Sequence, residues 1–226
     1  NVFEIFRNIM HQHELSEHNV QITQIGGMTN RNFKVTWSNE SYVLRIPGNG
    51  TEGMIVRENE DYNSRLAYQL KITPEIFYLD VQSGVKLVRY IEGAETLNNA
   101  TIQYMNHIEK VIMVLRTLHT SGVRFNNDFN VFKEIEIYEE LLGRVKGWMY
   151  EGYSEFRPSI FALADRLNQL GVTLTPCHND LVAENFVKGL DGKIHLIDWE
   201  YSGMNDPLWD LAALFIESSF SEENLQ

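Results

Sequence analysis

The sequence predicts an α+β fold, in which a five-stranded antiparallel sheet with one helix is followed by a mostly helical half that contains a hairpin. Before Gly93 the apolar residues fall mainly in short β-rich runs separated by turn residues, and after it they recur at helical spacing. Apolar residues make up 43% of the 226 positions, which is enough for a core. We therefore expect two lobes, over 1–91 and 100–226, joined by a connector over 92–99.

The first lobe is predicted to open with a helix, because the apolar residues from Val2 to Ile9 recur at helical spacing. Turn residues at Gly26-Gly27 and Asn39-Glu40 then separate three β-rich runs, a pattern typical of an antiparallel meander. A second helix over 55–70 precedes two more strands. The five predicted strands are 20–25, 32–37, 42–46, 75–79 and 85–91.

The second lobe is predicted to be helical because Ile108, Ile112, Leu115 and His119 share one face of a helix, and Gly122 is placed to end it. The other predicted elements of this lobe are helices over 132–148, over 154–170 and from Pro207 onward, a loop over 175–185, and a hairpin of 186–188 with 194–197.

Charge and cysteine content limit the partners and the compartment. The chain has 19 Lys and Arg against 31 Asp and Glu, a formal net charge of −12, which disfavours binding to nucleic acid or an anionic membrane and suits a cationic substrate. The single cysteine, Cys177, excludes an internal disulfide framework, fits a reducing compartment and is predicted to be a small buried hydrophobe. The sequence gives no oligomeric state.

No apolar run approaches the roughly 18 residues that a membrane helix needs, and no signal peptide precedes the first predicted helix. We therefore expect a cytoplasmic protein. The polar run over 221–226 is able to begin another helix. We expect that the chain is trimmed at this end.

Acidic and amide residues are concentrated between His178 and Asp198. The pattern His-x-Asp-x-x-x-x-Asn places Asp180 and Asn185 in one loop, and Asp198 ends the hairpin that follows. Phosphoryl transfer needs a carboxylate beside the acceptor hydroxyl and oxygen ligands for magnesium. Asp180 is suited to accept the hydroxyl proton, and the hairpin returns Asn185 and Asp198 to one end of a sheet as ligands for Mg²⁺. An acidic chain can contain such residues by chance, but chance rarely supplies the asparagine, the hairpin and the spacing together.

A second group lies in the first lobe. Arg45 near the end of a predicted strand can reach nucleotide phosphates, and Glu60 on the following helix can orient it, with Glu58 as a competitor for that role. Taken alone, such an arginine and glutamate are more typical of surface charges. Their order ahead of the acidic loop favours a role of the pair in binding phosphates. The turn over 26–30 has two glycines that let backbone amides approach an anion, although a plain turn explains them equally well.

These motifs resemble the choline/ethanolamine kinases, in particular the bacterial choline kinases, which have a protein-kinase-like fold shared with the aminoglycoside phosphotransferases. The resemblance covers nearly the whole chain, and its most specific block is Asp198-Trp199-Glu200-Tyr201. The glycine turn departs from the Gly-x-Gly-x-x-Gly of protein kinases. The matching segments are 26–30, 44–47, 50–52, 57–63, 178–185, 196–203 and 205–212.

The resemblance implies a role for each group. Asp180 would be the catalytic base, Asn185 and Asp198 the magnesium ligands, and Arg45 with Glu60 the ion pair that binds the phosphates of ATP. The remaining implied roles are nucleotide binding by Thr29 and Asn30 and, through backbone groups, by Arg89 and Ile91, shaping of the catalytic loop by His178, and bracing of that loop by Asp210.

Choline has no N–H group, so its recognition relies on aromatic faces and negative charge. Tyr201 and Glu217 match positions that line the choline pocket in the family, and Trp199 and Glu200 lie beside Tyr201 in the sequence. The aromatic residues Trp199, Trp209 and Phe215 suit a core equally well. Family members commonly extend beyond the last residue of this chain and complete the pocket with later aromatic residues.

The resemblance implies ATP- and Mg²⁺-dependent phosphorylation of choline to phosphocholine. Ethanolamine, thiamine or an aminoglycoside are alternative acceptors on the same fold, although the compact block from Trp199 to Tyr201 favours a small one. A non-catalytic nucleotide-binding protein or scaffold is the alternative from another class. It would be expected to lack one of Asp180, Asn185 and Asp198, and all three are present.

Overall fold

A five-stranded antiparallel sheet organises the first part of the chain. The computed structural model describes residues 1–27, 30–48 and 55–221. The sheet has the strand order β1-β2-β3-β5-β4, and its hairpins form the predicted meander. Its elements, with the flanking helices, are α1 (Val2–Met10), β1 (Val20–Ile25), β2 (Arg31–Trp37), β3 (Glu40–Ile46), α2 (Arg57–Gln69), β4 (Ile76–Leu79) and β5 (Lys86–Arg89).

Helices dominate the rest of the described chain. A three-stranded sheet of order β6-β8-β9 and a β7–β10 pair lie among these helices. The elements are β6 (Glu95–Thr96), α3 (Met105–His119), α4 (Val131–Arg144), α5 (Tyr153–Leu170), β7 (Thr175–Cys177), β8 (Phe186–Lys188), β9 (Ile194–Leu196), β10 (Gly203–Asn205) and α6 (Pro207–Glu217).

Two apolar clusters form the core. One joins α1 to the sheet through Phe6, Val35 and Leu44. The other fills the helical part, and it also includes Ala67 and Ile72, at and just after the end of α2. Because Leu196 N–H donates to Ile72 O at 2.8 Å, the small sheet is bonded to the turn that follows α2. Helix α2 is therefore fixed to the second half of the chain, and the boundaries at 91 and 99 stay a prediction.

The structure corrects the helix patterns in two places. The buried face of α3 is formed by Val111, Val114, Leu115 and Leu118, whereas the side chain of Ile112 is 53% exposed. The face in contact with the core is rotated from the predicted one, because an i, i+4, i+7 series fits two neighbouring faces when apolar residues are frequent. Helix α4 ends at Arg144 rather than residue 148.

Three short strands were not predicted. Strands β6, β7 and β10 have only two or three residues each, too few for an alternating pattern to be visible. Cys177 lies on β7 with no exposed surface, and burial raises the pKa of its thiol to about 12, so the prediction of a small buried hydrophobe is confirmed. No helix in the described ranges is both long and apolar enough to cross a membrane.

Candidate active site

The carboxylate of Glu60 binds three cations in the interior. Arg45 lies 2.7 Å from it, Arg57 2.8 Å and Lys86 3.1 Å, and Glu60 itself has no exposed surface. Burial by itself would raise the pKa of Glu60, but the attraction of Lys86 and Arg45 outweighs it and holds the pKa below its ordinary value. The carboxylate of Glu60 is therefore shared by Arg45 on β3, Lys86 on β5 and Arg57 on its own helix, α2.

The register of the sheet explains why this anion is needed. Arg45 on β3 is directly opposite Lys86 on β5, and like charges in facing positions destabilise a sheet. Burial lowers the pKa of Lys86, while the Coulombic attraction of Glu60 opposes that shift. Glu60 projects from α2 between the two cations, whereas Glu58 is exposed. The geometry thus pairs Arg45 with Glu60 and not with the competing Glu58.

Two of the three cations bound to Glu60, Arg45 and Arg57, also contact the acidic segment that follows β9. Arg45 lies 3.6 Å from Asp198 and 3.8 Å from Glu200, and Arg57 lies 3.4 Å from Glu200. Burial and then the negative charge of Asp198 raise the pKa of Glu200 to about 7, against the opposing effect of Arg45. The sequence prediction placed Glu200 beside a substrate. In the structure its carboxylate is engaged by two arginines at the centre of the ion network.

A second buried carboxylate, Asp210 on α6, holds the loop that begins at His178. Its oxygens accept the backbone N–H of His178 at 2.9 Å and that of Asn179 at 2.8 Å, and His119 lies 2.8 Å away. The His178 side chain is fully buried, and its Nε2 donates to the backbone oxygen of Ile197 at 2.9 Å. Asp210 thus binds two consecutive amides of the loop and His178 binds the residue before Asp198, and their roles in bracing and shaping the loop stay predictions.

Strained backbone occurs at two positions, one in this loop and one just after β9. Asn179 has φ 68° and Asp198 has φ 69°, in the left-handed region that non-glycine residues rarely occupy. Asn179 is held there by its side chain, because Nδ2 donates to Tyr201 O and Oδ1 accepts from Asn205, each at 3.0 Å. The strain is located immediately before Asp180 and at the predicted magnesium ligand.

Asp180, Asn185 and Asp198 are brought to one end of the β8–β9 hairpin. Asn185 Nδ2 donates to the backbone oxygen of Asp180 at 2.8 Å, and Ile197 N–H donates to the backbone oxygen of Asn185 at 2.9 Å. Burial raises the pKa of Asp180, with a smaller contribution from Asp198, while His178 lowers it. The carboxylate of Asp180 is therefore more basic than that of an exposed aspartate.

The donor set in this place fits a magnesium ion. The amide nitrogen of Asn185 is committed to Asp180, which turns its side-chain oxygen to the other side. The carboxylate of Asp198 is 35% exposed and therefore accessible to an ion. Carboxylate and amide oxygens are the ligands that Mg²⁺ prefers. The side-chain oxygens of Asn185 and Asp198 would therefore suit Mg²⁺.

The predicted nucleotide contacts are only partly described. Asn30 is buried, and its Oδ1 has no hydrogen-bond partner within the described part of the chain, whereas Thr29 and the segment 50–52 lie outside the described residues. Arg89 N–H donates to Glu75 O at 2.8 Å, so this amide is committed to the sheet. Arg89 and Ile91 line a cavity of about 820 Å³ whose lining does not include Asp180, Asn185 or Asp198.

The predicted acceptor residues divide into two groups. Tyr201 is half-buried, and burial together with the hydroxyl of Tyr138 raises its pKa above the ordinary value. Glu217 on α6 is exposed and close enough to Asp180 to raise the pKa of that group. Trp199 is a core residue instead. Its ring is 1% exposed, and its Nε1 donates to Thr73 and to Leu196 at 3.1 Å each, so it has no face for a ligand.

The other aromatic candidates also have protein partners. Trp209 donates from Nε1 to Asn179 O at 3.3 Å and packs against Phe129 at 6.2 Å between ring centres. Phe215 packs against Phe220, also at 6.2 Å. Trp209 therefore supports the loop before Asp180, and packing within the protein accounts for both rings.

Sequence reasoning missed several residues of this site. Lys86 gave no signal, because a lysine in a four-residue strand is usually exposed. Arg57 was visible only as part of a matching segment, and Asn179 only as a letter between His178 and Asp180. His119 was interpreted as the end of a helix face. Lys86, Asn179 and His119 have partners that are distant in the sequence, and so does the contact of Arg57 with Glu200, so no local pattern reveals them.

Comparison with known proteins identifies relatives over most of the chain. The family model for choline/ethanolamine kinase matches residues 21–225. Protein LicA of Haemophilus influenzae is 38% identical over 213 residues, which cover 93% of this chain and 62% of that protein. The chain therefore spans less than two thirds of the length of this relative.

Comparison with solved structures identifies the same group of relatives as comparison of sequences. The crystal structure of choline kinase LicA from Streptococcus pneumoniae has a TM-score of 0.84 and 38% identity, covering 98% of this chain and 76% of that one. A structure of LicA in complex with AMP has a TM-score of 0.82, also at 38% identity, with the same coverage. The predicted α+β, protein-kinase-like fold and the family resemblance are confirmed.

The substitution Glu60→Gln should destabilise the protein by about 3–5 kcal/mol at neutral pH, because three buried cations lose their shared anion. The folded pKa of Glu60 is lowered, so its contribution is present above the unfolded pKa of about 4.3 and is lost as the pH falls towards the folded value. Urea unfolding across a pH series should therefore show the difference from wild type shrinking below about pH 4.

The exposed Glu58 on the same helix provides the control. Glu58→Gln should change the free energy of unfolding by no more than about 0.5 kcal/mol. An equally small effect of Glu60→Gln at neutral pH, or a difference that grows in acid, would contradict the assigned role of Glu60.

Proposed function

Because the chain belongs to the choline/ethanolamine kinase family, we propose that it transfers the γ-phosphoryl group of ATP to the hydroxyl of choline, giving phosphocholine and ADP. The observation that carries the proposal is the convergence of Asp180, Asn185 and Asp198, bordered by the Arg45–Glu60 ion pair. Phosphoryl transfer is catalysed mainly by positioning and electrostatic stabilisation, and these residues supply both.

In the proposed reaction Asp180 orients the choline hydroxyl and accepts its proton. The hydroxyl oxygen forms a bond to the γ-phosphorus, the bond from that phosphorus to the bridging oxygen of ADP breaks, and the proton passes from Asp180 to solvent. The raised pKa of Asp180 brings it closer to the operating pH, where a general base is most effective. Asp210 keeps Asp180 in place through the two amides before it.

We propose Asn185 and Asp198 as the residues that would hold Mg²⁺. When bound, the ion would neutralise negative charge on the phosphates of ATP. Arg45 lies 3.6 Å from Asp198, so its guanidinium would be available to bind the same phosphates. A LicA relative has been solved with AMP, and we propose that this chain binds ATP in the corresponding cleft, with Asn30 and the connector among its contacts.

For the acceptor we propose a pocket bordered by Tyr201 and Glu217. The aromatic face of Tyr201 suits the quaternary ammonium of choline, and the exposed carboxylate of Glu217 supplies negative charge near Asp180. The net charge of −12 favours a cationic acceptor as well. Ethanolamine is the second candidate, because the matching family model covers both amino alcohols.

Asp180→Asn should reduce choline-dependent release of ADP at least about 100-fold, because the proton acceptor is lost. Purified protein would be assayed with ATP, Mg²⁺ and choline by coupling ADP formation to NADH oxidation. The exposed Asp165 on α5 provides the control, and Asp165→Asn should leave the rate within twofold of wild type. An active Asp180→Asn variant would exclude Asp180 as the base.

Tyr201→Ala should raise KM for choline about 5- to 30-fold, the range expected for losing a cation–π contact, whereas Tyr201→Phe should stay within about twofold. The same assay with choline, ethanolamine, thiamine and an aminoglycoside gives the acceptor preference. Wild-type protein that is active with ethanolamine and not with choline would overturn the substrate assignment. Equal KM values for the alanine and phenylalanine variants would remove Tyr201 from the pocket.

A further inference from the structure

Helix α2 buries a polar face, which is unusual for a helix in a protein core. Arg57, Glu60 and Asn63 lie three residues apart on this face. The first two belong to the ion network described above. Asn63 has no exposed surface and takes no part in that network, so its burial needs another explanation.

The amide nitrogen of Asn63 binds the segment after the proposed metal site, and both ends of the amide bind the loop before α4. Its Nδ2 lies 3.1 Å from both the backbone oxygen and the hydroxyl of Ser202, and 3.0 Å from Asn127 Oδ1. Its Oδ1 accepts the backbone N–H of Asn126 at 2.9 Å. Ser202 Oγ donates to Trp199 O at 2.6 Å, which leaves the hydroxyl oxygen to accept from Asn63.

These bonds fix the backbone on one side of Tyr201, and Arg57 acts on the other side. Arg57 lies 3.4 Å from Glu200, which precedes Tyr201, and Asn63 contacts Ser202, which follows it. The backbone oxygen of Tyr201 accepts from Asn179, the neighbour of Asp180. The position of the Tyr201 ring relative to Asp180 is therefore determined by contacts to α2 and to the catalytic loop.

We propose that Asn63 is a positioning residue for the acceptor, which holds Ser202 and thereby sets Tyr201 at the distance from Asp180 that choline requires. The inference rests on the proposed function and deepens it. Asn63 is hydrogen-bonded to Ser202, beside the proposed acceptor pocket, and its side chain makes no hydrogen bond to Arg45 or Glu60. Its loss should therefore lower the affinity for the acceptor and leave the affinity for the nucleotide unchanged.

The first test is Asn63→Ala. KM for choline should rise about 5- to 30-fold, the range for losing one or two buried hydrogen bonds. KM for ATP should stay within twofold and kcat should fall less than the acceptor affinity. Choline binding measured by calorimetry should weaken by the same factor, which separates affinity from turnover. A variant with a merely structural defect would instead lose kcat and both affinities together.

Asn59 on the same helix gives a matched control. Its Oδ1 accepts from the exposed Asn126 side chain at 2.8 Å, and no hydrogen bond joins its side chain to residues 200–202 among the described residues, so Asn59→Ala should leave both KM values within twofold. Ser202→Ala removes only the hydroxyl and is the second variant, should Asn63→Ala fail to fold. It should raise KM for choline about 2- to 10-fold, in line with one lost hydrogen bond.

The outcomes distinguish this inference from the proposed function. Wild-type protein that transfers phosphate to none of the acceptors overturns the proposed function, and this inference falls with it. If wild-type protein prefers ethanolamine, the choline assignment is overturned, and a 5- to 30-fold rise in KM for ethanolamine in Asn63→Ala would support a positioning role of Asn63 for that acceptor, at about the size of one or two lost hydrogen bonds. Active wild type with folded Asn63→Ala or Ser202→Ala variants that keep the wild-type acceptor KM, or that lose ATP affinity equally, overturns the inference alone.

Discussion

The buried carboxylate of Glu60 is the interaction on which the rest of the site depends. The sheet places Arg45 and Lys86 opposite each other in the interior, where two cations would repel and neither could be solvated. Glu60 neutralises them and also binds Arg57. With Arg45 and Arg57 held in this way, Arg45 turns its second guanidinium nitrogen to Asp198, and Arg57 reaches Glu200 with the nitrogen that also binds Glu60. The position of α2 therefore decides where the positive charge of the cleft lies.

The opposite side of the cleft is built by a second buried carboxylate. Asp210 holds two consecutive amides of the loop before Asp180, and the strained conformation of Asn179 is maintained by bonds from its own side chain. Strain of this kind persists only where the surroundings determine it many times over. Two buried anions thus position the two halves of the cleft, Glu60 the side proposed to bind the nucleotide phosphates and Asp210 the loop that carries Asp180.

Much of this arrangement was predictable from the sequence, and the reason for each failure is physical. Strand β1 and the β8–β9 hairpin were predicted almost to the residue, because alternation and turn residues are local signals. The Arg45–Glu60 pair followed from order and residue type. Lys86 was missed because its partner lies 26 residues away. Trp199 was considered for both the acceptor pocket and the core, because an aromatic side chain suits either environment. Only its contacts in the folded protein distinguish the two.

Under the proposed function, these contacts form a cleft that would bring ATP and a small cationic alcohol to Asp180. The most direct measurement is the ³¹P NMR spectrum of the chain incubated with ATP, Mg²⁺ and choline. The account predicts that a phosphocholine resonance grows in equal amount with the resonances of ADP while the γ-phosphate signal of ATP declines. Formation of ADP with inorganic phosphate in place of phosphocholine, or no change in the spectrum, would contradict it.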